Sequence, residues 1–536
     1  MRRIVGLLIA VTFTTVMAIA DEGHQHVLTA EEIGSVNFKT SCAKTVTEDF
    51  NRAVALLHSF QYEQAGQEFS KIASKDAQCA MAHWGVAMSN YHALWENSDF
   101  EKGGAAIAKA RELAAKSERI TAREKAYIEA LGEIYRQDGK DLSAHAQAYE
   151  KRMAALQSTY TDDTEAAVFH ALSLAATAPK TDKTFANQRK CGEILEPVFQ
   201  KQPHHPGVAH YLIHCYDNPV LAQKALPASR VYAKIAPASA HAHHMPSHIF
   251  TRVGYWDESI TSNKNSALVA AKAEQTSKTG EARDQRLHAM DYMEYAYLQS
   301  GRVREAKRVL DEMNALQPVP GLTLTGNYAT AAIPARYALE LGKWKDASAL
   351  QVDKTGVPWA QAITWMAVGV GSARSGNLER AKQAEQTLVS IRDQLAAKKN
   401  DYWSKQVEVQ RREVAALIAE QSGNRELALK TMREAAELEE SMEKSPMTPG
   451  AVIPAREMLA EMLRRDQPKL ALAEYEVVLK TAPNRFNAIY GAAIAADSAG
   501  DAQTASKYFK KLTEIAVGEE RPELATAREK LTVAMR

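Results

Sequence analysis

Beyond residue 40, apolar positions recur at intervals of three and four, alanine is abundant and alternating β-branched runs are absent. That periodicity predicts amphipathic helices along the whole body of the chain. Gly and Pro punctuate it at short intervals, so the helices should be of ordinary length. The pattern also repeats on a longer scale. Ala471, Tyr475 and Val478, followed by Pro483, are echoed thirty-four residues later by Ala505, Phe509 and Leu512. A glycine ending one helix, with a small residue about five positions on starting the next, recurs at Gly254, at Gly301 with Ala306, at Gly342 with Ala347, at Gly376 with Ala381, and at Gly423. Gly342 to Gly376 is again thirty-four residues, and the other intervals are forty-one and forty-seven. Near the N-terminus Ala65, Phe69 and Ile72 fill the equivalent places.

A small residue where two helices cross, an aromatic residue one turn later and a closing proline resemble the tetratricopeptide (TPR) signature. The resemblance covers most of residues 47–516, strongly at both ends and loosely between. It implies an all-α fold, an α-solenoid of stacked helical hairpins in which each pair buries its apolar face against its neighbours. The first helices of the pairs would line a concave groove. Two Pro/Gly-rich stretches, 317–334 and 445–454, interrupt the array, and both end in Ile-Pro-Ala-Arg. Proline is pre-set for the first helical position, so Pro334 and Pro454 are expected to restart helices after loops. The first stretch divides the chain into a signal segment (1–20), an N-terminal segment (21–46), an array carrying a histidine cluster (47–316) and a second array (317–536).

Arg2 and Arg3, an apolar core and Ala18-Ile19-Ala20 before Asp21 form the pattern of a secretory signal with a small-residue cleavage site. No later segment approaches eighteen uncharged apolar residues, so no membrane insertion is expected after cleavage, and the location should be periplasmic or secreted. The 66 basic and 65 acidic residues leave no imbalance of the kind that draws a chain to nucleic acid. Four cysteines in an exported chain suggest disulfides. Cys42 and Cys79 flank a helical turn at Phe60-Gln61, and Cys191 and Cys215 flank one at Gln202-Pro203. Hairpin geometry therefore pairs 42 with 79 and 191 with 215, although Cys215 beside His214 also admits a metal-ligand reading.

Eight of the sixteen histidines lie between His204 and His248. His210 and His214 are four apart on a predicted helix, so both imidazoles project from one face, with Asp217 less than a turn further on. A second group holds His241, His243, His244 and His248, interrupted by Pro246, and a third holds His288 with Asp291 and Tyr292. If these segments are helices of successive repeats, His210, His214, His244, His248, His288 and Asp291 could converge on a transition metal. Asp217, Arg252 and Tyr292 would then lie around it. Zinc, copper and iron all accept imidazole and carboxylate. The bland alternative is a structural polar network or a peptide groove.

The wording HPGVAHYLIHCYDNP, HAHHMPSHIFTRVGYW and DYMEYAYLQ is similar to a group of exported bacterial TPR proteins. That similarity implies a helical-repeat fold and an exported location, and only the packing positions carry over from it. Tyr211 stands where a zinc-protease helix motif would need glutamate. Ser41-Cys-Ala-Lys44, Tyr216-Asp-Asn218 and Lys278-Thr-Gly280 mimic the order of serine penicillin-recognising enzymes, but here the last string joins two helices rather than lying on a strand. His24 and His26, just after the cleavage point, could bind copper weakly but are expected to belong to a disordered tail. Trp84, His92 and Trp95 read as a core face. The expected function is a non-enzymatic exported scaffold whose groove binds a peptide, a protein partner or a small ligand. The alternative is a metal-binding protein or metal-dependent enzyme built on the 204–291 cluster.

Overall fold

Six glycines with positive φ (Gly254, Gly301, Gly342, Gly376, Gly423 and Gly500) each close a helix. In every case the partner helix starts two residues later, at Trp256, Val303, Trp344, Leu378, Arg425 and Ala502. The left-handed conformation lets the chain reverse while the last carbonyls find donors: Gly376 N–H donates to Ala373 O and Asn377 N–H to Ser372 O. The structure, a computed structural model, describes residues 27–534 except 96, 140, 180 and 276–279. The signal segment, His24, His26 and Lys278 lie outside the described residues. Within them the architecture is an all-α solenoid of helical hairpins stacked in chain order, and the strands are a two-residue antiparallel pair, Tyr91–His92 with Asn97–Ser98. No helix among the described residues is long and apolar enough to cross a membrane.

The repeat positions do the packing that the pattern requires. Ala65, Phe69 and Ile72 are buried, as are Ala471, Tyr475 and Val478, and Ala505, Phe509 and Leu512. The aromatic member lies over a bare backbone on the next helix. A Cβ at Gly85 would fall 2.3 Å from the Phe69 ring, and one at Gly491 would fall 2.2 Å from Tyr475. The apolar core passes the expected division at 317 without a break, because Ile333 and Tyr337 share one cluster with Trp256, Met290 and Val309.

Pro454 does precede a helix, Ala455–Leu463, but Pro334 lies inside one, Leu324–Glu340. The earlier start has a tertiary cause. Asp284, on the neighbouring helix, accepts hydrogen bonds from Thr323 N–H at 2.7 Å and Gly326 N–H at 2.9 Å, and so caps the helix from outside. The sequence near 324 carries no sign of that cap.

Both disulfides pair as the hairpin geometry requires, Cys42 with Cys79 and Cys191 with Cys215, with Cα atoms 4.8 and 5.9 Å apart. Cys215 is therefore a bonded half-cystine rather than a metal ligand. Each link closes a loop long enough to contribute about 3 kcal/mol.

The C-terminal hairpins pack back onto the middle of the array. Trp256 Nε1–H donates to Asn484 O at 3.0 Å, Phe486 N–H to Gln299 Oε1 at 2.9 Å, and Val517 N–H to Ser300 O at 3.0 Å. The 441–454 loop lies against the histidine-bearing helices, where Glu443 meets Arg252 at 2.9 Å and Thr448 O accepts from Tyr292 Oη at 2.9 Å.

Candidate functional site

Four helical segments bring the histidines together. Pro206–Tyr216 carries His210 and His214, Ala240–His244 carries His241 and His244, Pro246–Val253 carries His248, and Glu281–Gln299 carries His288. Pro206 opens the first segment, with the His205 ring accepting from Val208 N–H. Met245 keeps helical angles, φ −54° and ψ −37°, so the chain runs through Pro246 without turning away. His241, His244 and His248 therefore share one stripe at spacings of three and four.

His210 Nδ1 lies 2.6 Å from the backbone carbonyl of His58 and must donate to it. Its Nε2 is thereby left as a bare lone pair, which faces Nε2 of His214 and Nε2 of His241, each at 3.0 Å. One lone pair accepts one proton well. Three imidazole nitrogens this close also approach the spacing of about 3.3 Å that 2.0–2.1 Å metal bonds impose on a tetrahedral edge.

In the second triad the protons are fixed more tightly. His248 Nδ1–H donates to Asp217 Oδ2 at 2.9 Å. His244 Nδ1–H donates to Asn263 Oδ1 at 2.7 Å, and Asn263 is held that way round because its own amide N–H₂ donates to Ser259 O at 2.8 Å. Both Nε2 atoms are consequently bare, yet they lie 2.9 Å apart. Two acceptors have no hydrogen bond to make with each other. His288 closes the group, its ring centroid 4.1 Å from that of His244, and its buried Nδ1 has no hydrogen-bond partner.

Protonation does not relieve the contact near neutral pH. Burial first, and neighbouring imidazoles second, hold His210, His214, His241, His244 and His288 well below the usual histidine range; burial also lowers His248 against the pull of Asp217. Burial would raise Asp217, but Lys444, Arg252 and His248 together hold it well below the ordinary carboxylate range. A cation placed between the bare nitrogens resolves the arrangement. The outer partners, the His58 carbonyl, Asn263 and Asp217, already orient the rings for it, as groups behind metal-bound histidines do.

Nearby, His58, Glu165 and His205 form a cluster of another kind. His58 Nε2–H and His205 Nε2–H each donate to Glu165 at 2.8 Å, while His58 Nδ1 accepts from Tyr211 Oη at 3.0 Å and His205 Nδ1 from Val208 N–H at 3.3 Å. Every nitrogen there has a complementary partner.

A cavity of about 1530 Å³ opens onto the triads, with His214 and His241 of the first and His248 and His288 of the second in its wall. Tyr62, His92 and Trp95 line it too, with Tyr62 stacked on His92 at 4.1 Å, so His92 and Trp95 face the cavity while Trp84 stays in the core. Both Pro/Gly-rich stretches reach it, through Pro320 and Gly321 and through Pro446 and Met447. Phe60 occupies the left-handed position, φ 55°, that glycine holds in six later hairpins and Lys399, φ 56°, in another. Its ring packs on His210 at 4.4 Å, on His241 at 5.3 Å and on His214 at 5.6 Å. A bulky side chain in that conformation is strained by about 1 kcal/mol, and here the strain coincides with the site.

Of the six expected ligands the structure gathers five: His210, His214, His244, His248 and His288. Asp291 is turned away, with its carboxylate on Arg336 at 2.6 Å among buried charges, so the sixth member of the triads is His241. Asp217 backs His248, Arg252 Nε–H donates to Asp217 at 2.8 Å, and Tyr292 Oη lies 3.4 Å from His248 Nδ1, so these three stand one layer behind the imidazoles. His241 was visible as the first member of the 241, 244, 248 stripe. His58, Asn263 and Phe60 had no comparable signal. His243 is outside the site, its Nε2 at 3.0 Å from Pro237 O.

No family model and no curated protein matches the chain. Among solved structures it is similar to helical-repeat proteins. The human IFIT1 dimer with m7Gppp-AAAA is 11% identical over 82% of this chain and 90% of that one, with a TM-score of 0.36. Yeast Tom70 is 12% identical over 91% and 89%, with a TM-score of 0.30. Cut9 in the APC/C Cut9–Hcn1 tetramer is 13% identical over 81% and 86%, with a TM-score of 0.28. These overlaps are too loose to carry any ligand or partner to this chain.

Proposed function

We propose that this chain is an exported helical-repeat metalloprotein that holds transition-metal ions on two histidine triads, His210/His214/His241 and His244/His248/His288, at the wall of a cavity that admits a small molecule. The observation that carries the reading is the contact between His244 Nε2 and His248 Nε2, two bare lone pairs 2.9 Å apart in a buried site. Zinc and copper suit an all-imidazole set better than ions that prefer oxygen. Two disulfides and the N-terminal signal pattern support an oxidising, exported setting. The test is metal analysis of the purified full chain before and after chelation, beside a His244→Ala/His248→Ala variant. The reading expects reloading of the wild type by zinc or copper, with uptake by the variant at least halved. Equal uptake by both, or none by either, would overturn it.

A second reading, a peptide-binding groove, is favoured by the size of the cavity, whose volume of about 1530 Å³ exceeds the ~1,000 Å³ typical of small-molecule pockets. Its aromatic wall of Tyr62, His92 and Trp95 offers stacking surfaces. Retention of peptide mixtures that is indifferent to chelation and weakened by Trp95→Ala would favour it.

A further inference from the structure

The two triads are not separated by protein. Ring centroids of His214 and His248, from different triads, are 6.4 Å apart, as are those of His241 and His244. Within the first triad His214 and His241 are 6.3 Å apart. The spacing across the triads is thus within 0.1 Å of the widest ring spacing inside one. His241 and His244 lie on a single helical segment, where three residues span only about 4.5 Å along the axis. Ions held by the two groups would fall near the separation of about 3.5–4 Å at which two metals share a bridging atom.

Charge adds a second constraint. All six candidate ligands are imidazoles, a ligand that brings no negative charge to a metal, and neither triad contains a carboxylate. Asp217, the acid hydrogen-bonded to a triad imidazole, lies behind His248 and already faces Arg252 at 2.8 Å and Lys444 at 3.8 Å. Two divalent ions would bring a large positive charge into a buried site with no anionic protein ligand to offset it. An anion entering from the cavity would supply the compensating charge at the ions themselves, since the cavity's own acids, Glu63, Glu281 and Asp284, belong to neither triad. Access is built in, since two histidines of each triad, His214 and His241, His248 and His288, reach the cavity wall, whereas His210 and His244 do not line it.

We infer that the two triads form one dinuclear centre, whose ions are bridged by a small anion, hydroxide in water, admitted through the cavity. The inference rests on the metal reading above and adds to it the coupling of the two ions and the class of exogenous ligand. A bridge of this kind presents one anionic oxygen, held by both metals, to whatever occupies the cavity.

The test uses the full chain, stripped of metal and titrated with Cu(II) alone, followed by metal analysis and quantitative electron paramagnetic resonance. The inference expects about two ions per chain, a spin count well below two because the bridged ions couple, and uptake of about one azide per pair as a probe of the bridging position. His214→Asn and His288→Asn, each at the cavity wall, should lower the stoichiometry to about one and restore a full single-ion signal. Two bound ions with two full, independent spins would overturn the dinuclear centre while leaving the metal reading intact. Saturation at one ion would do the same, and failure to bind azide would remove the bridging anion. No copper binding at all would remove the copper dinuclear centre, and the absence of zinc binding as well would remove both readings. Should either variant fail to fold, the wild-type stoichiometry and spin count decide the question alone.

Discussion

The His58–Glu165–His205 cluster and the His244–His248–His288 cluster both bury imidazoles at the same depth, and they differ in how the lone pairs are met. In the first, each lone pair meets a proton: two N–H groups converge on a carboxylate, and the remaining nitrogens accept from Tyr211 and Val208. In the second, the protons are drawn outward to Asp217 and Asn263, leaving lone pair against lone pair. Burial and crowding are common to both, so neither marks a metal site. The direction in which the outer partners pull the protons does. A complementary network stabilises the fold by itself, whereas a frustrated one waits for a cation.

The largest effect should come from breaking the complementary network. Glu165→Ala leaves two buried N–H donors without an acceptor, and the expected loss is about 3–5 kcal/mol in denaturant titrations, the same with and without chelator. A loss that vanished on chelation would mean that this cluster, too, holds metal. Next comes the stabilisation of the wild type by added zinc or copper, which should reach about 2.7 kcal/mol at a free concentration one hundred times the dissociation constant. His244→Ala/His248→Ala should show much less of it, and in chelator should be no less stable than the wild type beyond the packing lost; calorimetry with and without metal checks both. Asn263→Ala removes the group that holds the His244 proton outward, and metal affinity should fall about 10–100-fold while Glu165→Gln leaves it unchanged. A competitive chelator titration measures the difference.

The smallest effect is a matter of slope. His205 and His58 hold Glu165 below the ordinary carboxylate range against the upward push of burial. A carboxyl group with a depressed folded pKa contributes stability above its unfolded pKa and loses it as pH falls. Below about pH 4.5 the wild type should therefore lose stability more steeply than Glu165→Gln, by up to about 1.4 kcal/mol per pH unit. Parallel acid limbs would show that Glu165 is not ionised in the folded protein.

Phe60 repeats the contrast in the backbone. Six later hairpins turn on glycine, and this one turns on an aromatic residue in the same left-handed conformation, with its N–H donating to Leu57 O and that of Gln61 to Leu56 O. The hydrogen bonds of the turn are conserved in kind, and what the substitution adds is a ring over His210, His214 and His241.

Helical periodicity, closing glycines and the small-aromatic-apolar spacing are local properties, and from them the sequence by itself determined the all-α solenoid, the hairpin register and both cysteine pairings. The clustering of histidines and the spacing of four between His210 and His214 were legible too, and five of the six imidazoles were expected, whereas the face shared by His241, His244 and His248 depended on how the helix passes Pro246. What the tertiary structure decided is everything set by contacts across the stack. Asp284 caps a helix some forty residues away and buries Pro334 in its interior. Arg336 takes Asp291 out of the ligand set. Packing across the stack brings the 445–454 loop, read from sequence as an interruption, into the cavity wall through Pro446 and Met447. The deepest of these decisions is the placement of protons. Which nitrogen of each imidazole is bare depends on His58 O, Asn263 and Asp217, partners that lie 152, 19 and 31 residues from the rings they orient, and no local pattern carries that information.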